Sequence, residues 1–193
     1  LKPNFQFRTN VYHTGKVSSG ILKGNLYLKG FGDPSLVSEE LWLLVRKLRL
    51  RGLRKVNGNL FVDDTYFDTE RFVPGTKAGH GHKPYQAPNG AASLNFNTLS
   101  LYVKPNQIIG RLTHATVDPK SKYIQLVNKA KTVGRRRKAN LRIRRTSHAN
   151  GDMITLEGRL PIGSKGRQLW ISITNPTLYL GHTFREFLLA EGI

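Results

Sequence analysis

The sequence predicts an α+β fold, a small α/β domain that carries a nested β-rich domain. Apolar residues repeat at helical spacing in two segments, one beginning at Ser38 and one after Asn175. Between about residues 98 and 165, apolar and polar residues alternate instead, which is typical of half-buried strands. We therefore assign residues 1–97 and 166–193 to the α/β domain and residues 98–165 to the inserted domain.

The opening third of the chain predicts a β-β-α-β unit. Residues 7–13, 21–29 and 58–63 have strand patterns, and the second and third of these frame a helix. Ser38 can cap that helix, and Gly52 can end it. Its inward stripe consists of Leu41, Leu44, Val45 and Leu48.

After a glycine- and proline-rich loop over residues 72–84, the chain becomes β-rich. A strand over residues 99–103 is followed by a hairpin in which Asn150-Gly151 supplies the turn. Alternation in the hairpin places Arg142 and Arg144 together on an exposed face. One more strand covers residues 169–173.

The chain closes with a helix that has Asn175 as its cap and Pro176 in its first turn. Gly192 ends this helix. Its inward residues are Leu180, Phe184, Phe187 and Leu188.

The charge of the chain is strongly positive. Its 193 residues include 31 Lys and Arg against 12 Asp and Glu, a net charge of +19 at pH 7. Residues 98–167 hold sixteen of the cations and three acids. Such density favours a polyanionic partner, and the alternative is a solvated face. The predicted polyanion-binding residues are Arg135, Arg136, Arg137, Lys138, Arg142, Arg144 and Arg145.

Several function classes are excluded or disfavoured. The chain has no cysteine, so it forms no disulfide and no thiolate metal site. It has no apolar run of 18 residues, so we expect no membrane span. A basic nucleic-acid-binding module is an alternative function, but no helix-turn-helix, zinc-finger or RNA-recognition motif accompanies the basic residues, and nucleic acid is not the partner we favour.

A series of short motifs resembles a known enzyme family. The motifs occur in the order Phe7-Arg8-Thr9, Gly20-Ile21-Leu22-Lys23-Gly24-Asn25-Leu26, Gly32-Asp33-Pro34-Ser35-Leu36, Val56-Asn57-Gly58-Asn59-Leu60-Phe61-Val62-Asp63, Tyr85-Gln86-Ala87-Pro88 and Leu189-Ala190-Glu191-Gly192-Ile193. This series resembles the D-alanyl-D-alanine carboxypeptidases and endopeptidases of peptidase family S13, the class C low-molecular-mass penicillin-binding proteins.

The resemblance implies a catalytic domain with S-x-x-K, S-x-N and K-T-G boxes and a long insertion between the first two. No Ser in this chain precedes a Lys by three positions. Ser93-Leu94-Asn95 and Lys131-Thr132-Val133 imitate the other boxes, but the first follows Ala87-Pro88, in a segment that resembles the insertion, and the second has Val133 in place of the required Gly. We therefore predict no catalytic residue and no activity for this chain.

The same resemblance implies a loop that reaches the substrate cleft. In the family, an acidic residue and, five positions later, an aromatic residue hold the side chain of the stem peptide. Alignment on Ala87-Pro88 places Tyr85 at the aromatic position and His80 at the acidic one. A neutral His cannot pair with the ammonium of diaminopimelate, so that specificity is in question, unless an insertion has shifted the register of the loop.

Two smaller groups of residues have a structural reading. His80-Gly81-His82 lacks a third ligand nearby, so we predict no metal and no cofactor. Asp63-Asp64 follows a strand, where carboxylates usually bond to the next turn.

The function that the resemblance implies is that of non-catalytic accessory domains in a serine-type D-Ala-D-Ala carboxypeptidase or endopeptidase that cleaves peptidoglycan stem peptides. The expected partners are the catalytic domain of the same polypeptide and peptidoglycan or another anionic cell-wall polymer. The expected location is periplasmic or otherwise extracytoplasmic. A third possibility is a domain that only oligomerises its parent.

Overall fold

The computed structural model describes residues 4–72 and 81–193. Mixed helices and strands within those ranges confirm the predicted α+β class. The strands are β1 Thr9–His13, β2 Lys16–Ser18, β3 Ile21–Lys23, β4 Leu26–Gly30, β5 Lys55–Asn57, β6 Leu60–Asp63, β7 Thr98–Lys104, β8 His114–Asp118, β9 Ile124–Asn128, β10 Lys131–Val133, β11 Asn140–His148, β12 Gly151–Pro161 and β13 Arg167–Ser172. The helices are α1 Ser38–Leu50 and α2 Pro176–Ala190.

The described residues form two compact units that interleave along the chain. The first unit contains residues 4–72, 88–97 and 175–193, and the second contains residues 81–87 and 98–174. The second unit therefore runs past the predicted boundary at residue 165. The reason is β13, which pairs with β7 from Arg167↔Val103 to Ser172↔Thr98 and so groups with the β-rich residues.

The first unit contains two three-stranded sheets and both helices. The strand order is β1-β4-β6 in one sheet and β2-β3-β5 in the other. In each sheet one strand before α1 pairs in parallel with one strand after it, because the helix returns the chain to the same edge. The core of this unit includes Leu22, Leu28, Leu41, Val45 and Phe184.

The strand predicted over residues 21–29 is in fact two strands. The break lies at Gly24, where a Cβ atom would stand 2.0 Å from the carbonyl oxygen of Thr14. Only glycine allows this close approach of two backbones. The chain therefore leaves one sheet after β3 and enters the other at β4.

The two helix caps differ in how far, along the chain, the capping residue lies from its helix. Asn175 caps α2 as predicted, because its side chain accepts a hydrogen bond from the N–H of Leu178 at 3.0 Å. Ser38, in contrast, does not cap α1. Its own N–H donates to Oδ1 of Asn95 at 2.9 Å, so the cap is supplied by a residue of the segment 88–97. Within the described residues, neither helix is long and apolar enough to cross a membrane.

The second unit contains two sheets. One has the order β13-β7-β8, and in the other β12 pairs with β11 on one side and with β9 and β10 on the other. The predicted hairpin is β11–β12, but His148 pairs with Gly151, so the turn consists of Ala149-Asn150, one residue earlier than expected. Buried Leu101, Ile154 and Leu156 belong to the core of this unit.

The paired carboxylates Asp63 and Asp64 have the structural role that the sequence suggested. Asp63 accepts a hydrogen bond from Lys29 Nζ at 2.8 Å, and this bond, with those from Thr65, lowers the pKa of Asp63 to about 2. Asp64 accepts from the N–H of Ala92 at 2.6 Å and from Thr177 Oγ1 at 2.8 Å. It also pairs with Arg71 at 2.5 Å. Asp64 thus ties β6 to the segment 88–97 and to the first turn of α2.

Replacing Asp64 should destabilise the first unit. Asp64→Ala leaves the buried N–H of Ala92 and the Arg71 guanidinium without their acceptor, and we expect the free energy of unfolding to fall by about 2–4 kcal/mol. Urea denaturation measures this loss. Asp33→Ala is the matched control, because the hydrogen bonds of Asp33 within the described residues go to the neighbouring Ser35; it should cost less than about 1 kcal/mol. Equal losses in the two variants would contradict the assignment.

Candidate functional site

The site begins with the loop that presents Tyr85. Residues Pro84–Gln86 form one turn of 3₁₀-helix, closed by hydrogen bonds from the Gln86 N–H to the Lys83 carbonyl at 2.9 Å and from the Ala87 N–H to the Pro84 carbonyl at 3.1 Å. The Tyr85 side chain is 82% exposed. A large aromatic ring held out on an ordered turn is available for contact with a ligand or another protein surface.

Arg145 fixes this loop to β13. Its guanidinium donates to the carbonyl oxygen of Ser172, to Ser172 Oγ at 2.7 Å and to the carbonyl oxygen of Gly81 at 2.6 Å. The Ser172 N–H in turn donates to the carbonyl oxygen of His82 at 3.0 Å. The rigid fork of a guanidinium suits this role, because it can hold two backbone segments at a fixed distance.

A buried carboxylate supports the same region. Asp152 is 1% exposed and accepts hydrogen bonds from the N–H of Thr174, at 2.9 Å, and from the Thr174 hydroxyl. The Tyr123 hydroxyl lies 2.9 Å from that of Thr174. Burial lowers the pKa of Arg145, and the charge of Asp152 opposes that change. The three hydrogen bonds of the guanidinium to Ser172 and Gly81 offset part of the cost of this burial.

The structure describes one of the two histidines of the His80-Gly81-His82 segment. His80 lies outside the described residues. The prediction that His80 occupies the family's acidic position, and the possibility of a metal bound by His80 and His82, therefore fall outside the described structure. His82 is half-buried, and burial, with the charges of Lys83 and Arg145, lowers its pKa. Within residues 4–72 and 81–193, no three potential metal ligands come together.

The predicted polyanion-binding residues do not all lie together. Arg135, Arg136, Arg137 and Lys138 are exposed in the turn between β10 and β11, and Arg142 and Arg144 are exposed on β11. Arg145 is different, because its side chain is half-buried and its guanidinium holds Ser172 and Gly81. We therefore remove Arg145 from the polyanion-binding set and assign it to the Tyr85 loop.

The two imitations of catalytic boxes have structural roles. Ser93 Oγ donates to the carbonyl of Gly90 at 2.8 Å and accepts from Asn97 Nδ2 at 3.0 Å, and Asn95 caps α1. Lys131–Val133 is strand β10, paired in parallel with β12. The Ser93 hydroxyl and the strand Lys131–Val133 both contribute to the fold.

The chain matches a family model over its whole length. The model of the D-Ala-D-Ala carboxypeptidase 3 (S13) family covers residues 1–193. The chain belongs to this S13 family. The match confirms the resemblance seen in the ordered motifs.

Two curated relatives agree with the family. The chain is 29% identical over 117 residues to D-alanyl-D-alanine carboxypeptidase DacB of Haemophilus influenzae. This alignment covers 61% of this chain and 24% of that protein. It is 29% identical over 174 residues to the D-alanyl-D-alanine carboxypeptidase of Actinomadura sp. (strain R39). That alignment covers 88% of this chain and 32% of that protein. The chain thus spans a third or less of the length of these relatives.

The structural likeness extends to the fold. The crystal structure of penicillin binding protein 4 (dacB) from Haemophilus influenzae matches with a TM-score of 0.75 at 23% identity, over 98% of this chain and 41% of that one. The same protein complexed with a novel β-lactam matches with a TM-score of 0.63 at 24% identity, over 98% of this chain and 39% of that one.

The sequence did not indicate the group that anchors the Tyr85 loop. Charge density along the sequence groups Arg145 with its charged neighbours, and Ser172, Asp152 and Thr174 belong to no motif. One signal was present: Asp152 is one of only three acids among residues 98–167. An acid in so basic a segment is a candidate for a buried partner of a cation.

Removing the Arg145 guanidinium should loosen the Tyr85 loop. Arg145→Gln loses hydrogen bonds of a charged donor, worth about 1.5–3 kcal/mol each, so amide hydrogen exchange in residues 81–87 should accelerate by about tenfold or more. Hydrogen exchange followed by mass spectrometry measures this. Arg144→Gln, one residue away on the exposed side, should leave the exchange unchanged. If residues 81–87 exchange at the parental rate in both variants, the anchoring role of Arg145 is wrong.

Proposed function

We propose that this chain is the accessory part of a serine-type D-Ala-D-Ala carboxypeptidase or endopeptidase that acts on peptidoglycan stem peptides. In this proposal an α/β domain carries a β-rich domain nested in its sequence, and neither supplies a catalytic group. Their role is to position the enzyme on its substrate and to shape the cleft of a catalytic domain with the Tyr85 loop.

The absence of the catalytic boxes supports the accessory role. No Ser of the chain precedes a Lys by three positions, and K-T-G does not occur. The chain covers 24% and 32% of the length of the two curated carboxypeptidases, which leaves ample length for a catalytic domain elsewhere in a longer protein. In that domain a serine would attack the D-Ala-D-Ala carbonyl, form an acyl-enzyme and release it to water, and penicillins would acylate the same serine.

The exposed Tyr85 ring carries the proposal. Its position corresponds to the aromatic residue that holds the stem-peptide side chain in the resembled family, and its ring is 82% exposed on a turn anchored through Gly81 and His82. A ring already held in place loses little conformational entropy when substrate packs against it. Tyr85 would therefore contribute to binding of the stem peptide rather than to the chemical step.

Position 80 affects which stem peptide is selected. The family's carboxylate is replaced by His80, which at neutral pH has no negative charge to pair with an ammonium group. We infer that the parent enzyme does not select diaminopimelate through this position. Because peptidoglycan lies outside the cytoplasmic membrane, we place the parent enzyme in the periplasm or another extracytoplasmic location.

This chain by itself should be inactive. Without a serine activated by lysine, it should release no D-Ala from D-Ala-D-Ala peptides and should form no covalent adduct with a fluorescent penicillin. Intact mass spectrometry after incubation with the penicillin measures the adduct. Stoichiometric labelling of the purified chain would overturn the accessory role.

Tyr85→Ala in the full-length protein should weaken substrate binding. We expect KM for a stem-peptide substrate to rise about tenfold, the effect of losing one well-packed aromatic contact, with kcat within about twofold of the parent. Acylation by penicillin, which lacks the stem-peptide side chain, should change less than about twofold.

Two further variants serve as controls for Tyr85→Ala. Tyr85→Phe should retain the parental KM because it keeps the ring. Trp170→Ala removes another exposed aromatic side chain of the same unit, 52% exposed, and should also retain it. An equal rise of KM in Tyr85→Ala and Trp170→Ala would count against a specific role for Tyr85.

A further inference from the structure

The second unit presents cations on one face of the sheet formed by β9, β10, β11 and β12. Arg142 pairs with Glu157 and Arg144 with Thr155 across β11 and β12, while Arg159 has Asn140 on one side and Lys131 on the other. Paired residues in a sheet share a face, so the side chains of Arg142, Arg144, Arg159 and Lys131 all project from the same side. All four are exposed.

The opposite face of the sheet fixes this arrangement. Ile154, Leu156 and Leu160 alternate with the exposed positions of β12 and are 0–1% exposed. Because a shift of one residue would bury the charges and expose these apolar side chains, the register of the sheet is strongly specified.

The turn between β10 and β11 extends the cationic surface. Nε of Arg159 donates to the carbonyl oxygen of Lys138 at 3.2 Å, which holds the turn beside the face. Four residues of the turn, Arg135, Arg136, Arg137 and Lys138, are exposed and basic. We call the combined surface the cationic face: Lys131, Arg135, Arg136, Arg137, Lys138, Arg142, Arg144 and Arg159.

The cationic face is not neutralised by the protein itself. In the described part of the chain, the ion pairs within 4.0 Å are Lys29–Asp63 and Arg71–Asp64, both in the first unit. Glu157 is the one acid on the sheet face, beside Arg142, and Lys131 and Arg159 are direct neighbours of like charge. Like charges at neighbouring positions destabilise a sheet, and a bound anion would relieve that repulsion.

We propose that the cationic face binds peptidoglycan through the free carboxylates of its stem peptides. This proposal rests on the proposed function, since a carboxypeptidase acts on chains that end in a free carboxylate. Six of the eight cations are arginines, whose guanidinium groups pair with carboxylates through two parallel hydrogen bonds. The face would hold the enzyme on its polymeric substrate, away from the residues that contact the peptide being cleaved.

The composition of the surface favours this partner over nucleic acid. Proteins that bind single-stranded nucleic acid stack bases on aromatic side chains set among the cations. The sheet face instead carries Asn140, Thr146 and Thr155 beside its cations, and none of its described side chains is Phe, Tyr or Trp. Its contacts are therefore electrostatic, and a flexible polymer with spaced carboxylates suits them.

The test is co-sedimentation of the chain with insoluble peptidoglycan from which attached phosphate-containing polymers have been removed. Binding should weaken at least tenfold between about 50 and about 200 mM salt, because each neutralised charge is screened or exchanged for salt ions. The triple variant Arg136→Gln, Arg142→Gln, Arg144→Gln should bind about tenfold more weakly at the lower salt concentration. Arg159 is left intact because it also holds the turn.

A second triple variant controls for net charge. Lys47→Gln, Arg51→Gln, Lys55→Gln removes three exposed cations of the first unit and should bind like the parent. Amidation of the peptidoglycan carboxylates should abolish parental binding. Equal losses in the two triple variants, or unchanged binding to amidated peptidoglycan, would overturn the proposal.

Two further binding measurements distinguish peptidoglycan from other polyanions. A DNA duplex and vesicles with anionic lipids are tested at the same ionic strength, and binding to either that exceeds binding to peptidoglycan by tenfold or more would overturn the proposal in favour of that partner. The assay uses the chain without a catalytic domain. Its failure would leave the KM effect of Tyr85→Ala intact, and failure of that effect would leave the sedimentation result intact.

Discussion

The register of β11 on β12 is the constraint on which the second unit depends. Arg144 pairs with Thr155 and Arg145 pairs with Ile154, so the two neighbouring arginines point to opposite faces of the sheet. Arg144 is exposed among the other cations, whereas Arg145 reaches Ser172 and Gly81 and holds the Tyr85 loop. A slip of one residue would exchange their roles, bury a charge without partners and release the loop.

Asp152 allows a guanidinium to be held inside a unit that is strongly basic. Burial of a charged group costs several kcal/mol unless hydrogen bonds and an opposite charge offset it. Arg145 has three carbonyl or hydroxyl acceptors, and the charge of Asp152 opposes the effect of burial on its pKa. Asp152 is in turn satisfied by the N–H and hydroxyl of Thr174. The acid therefore contributes to the position of Tyr85 without contacting that residue.

The features predicted correctly from sequence are those determined by neighbouring residues. Asn175 caps α2 through the N–H of Leu178, three positions later, and a local pattern is enough to find it. The cap of α1 comes from Asn95, 57 positions from Ser38, and no local pattern contains that information. The break between β3 and β4 was missed for the same reason, because Gly24 is required by the distant backbone of Thr14.

The candidate site shows that the density of charge along the sequence does not assign each cation to a face of the sheet. Density along the sequence placed Arg145 with Arg142 and Arg144, although the alternation that predicts the hairpin also places Arg145 on the side of Leu141 and Ile143. Charge density identifies a partner class, and periodicity assigns each charge to a face. The two faces therefore tolerate different changes. The exposed even-numbered positions of β11 can change charge without affecting the Tyr85 loop, but position 145 holds Ser172 and Gly81 through its guanidinium.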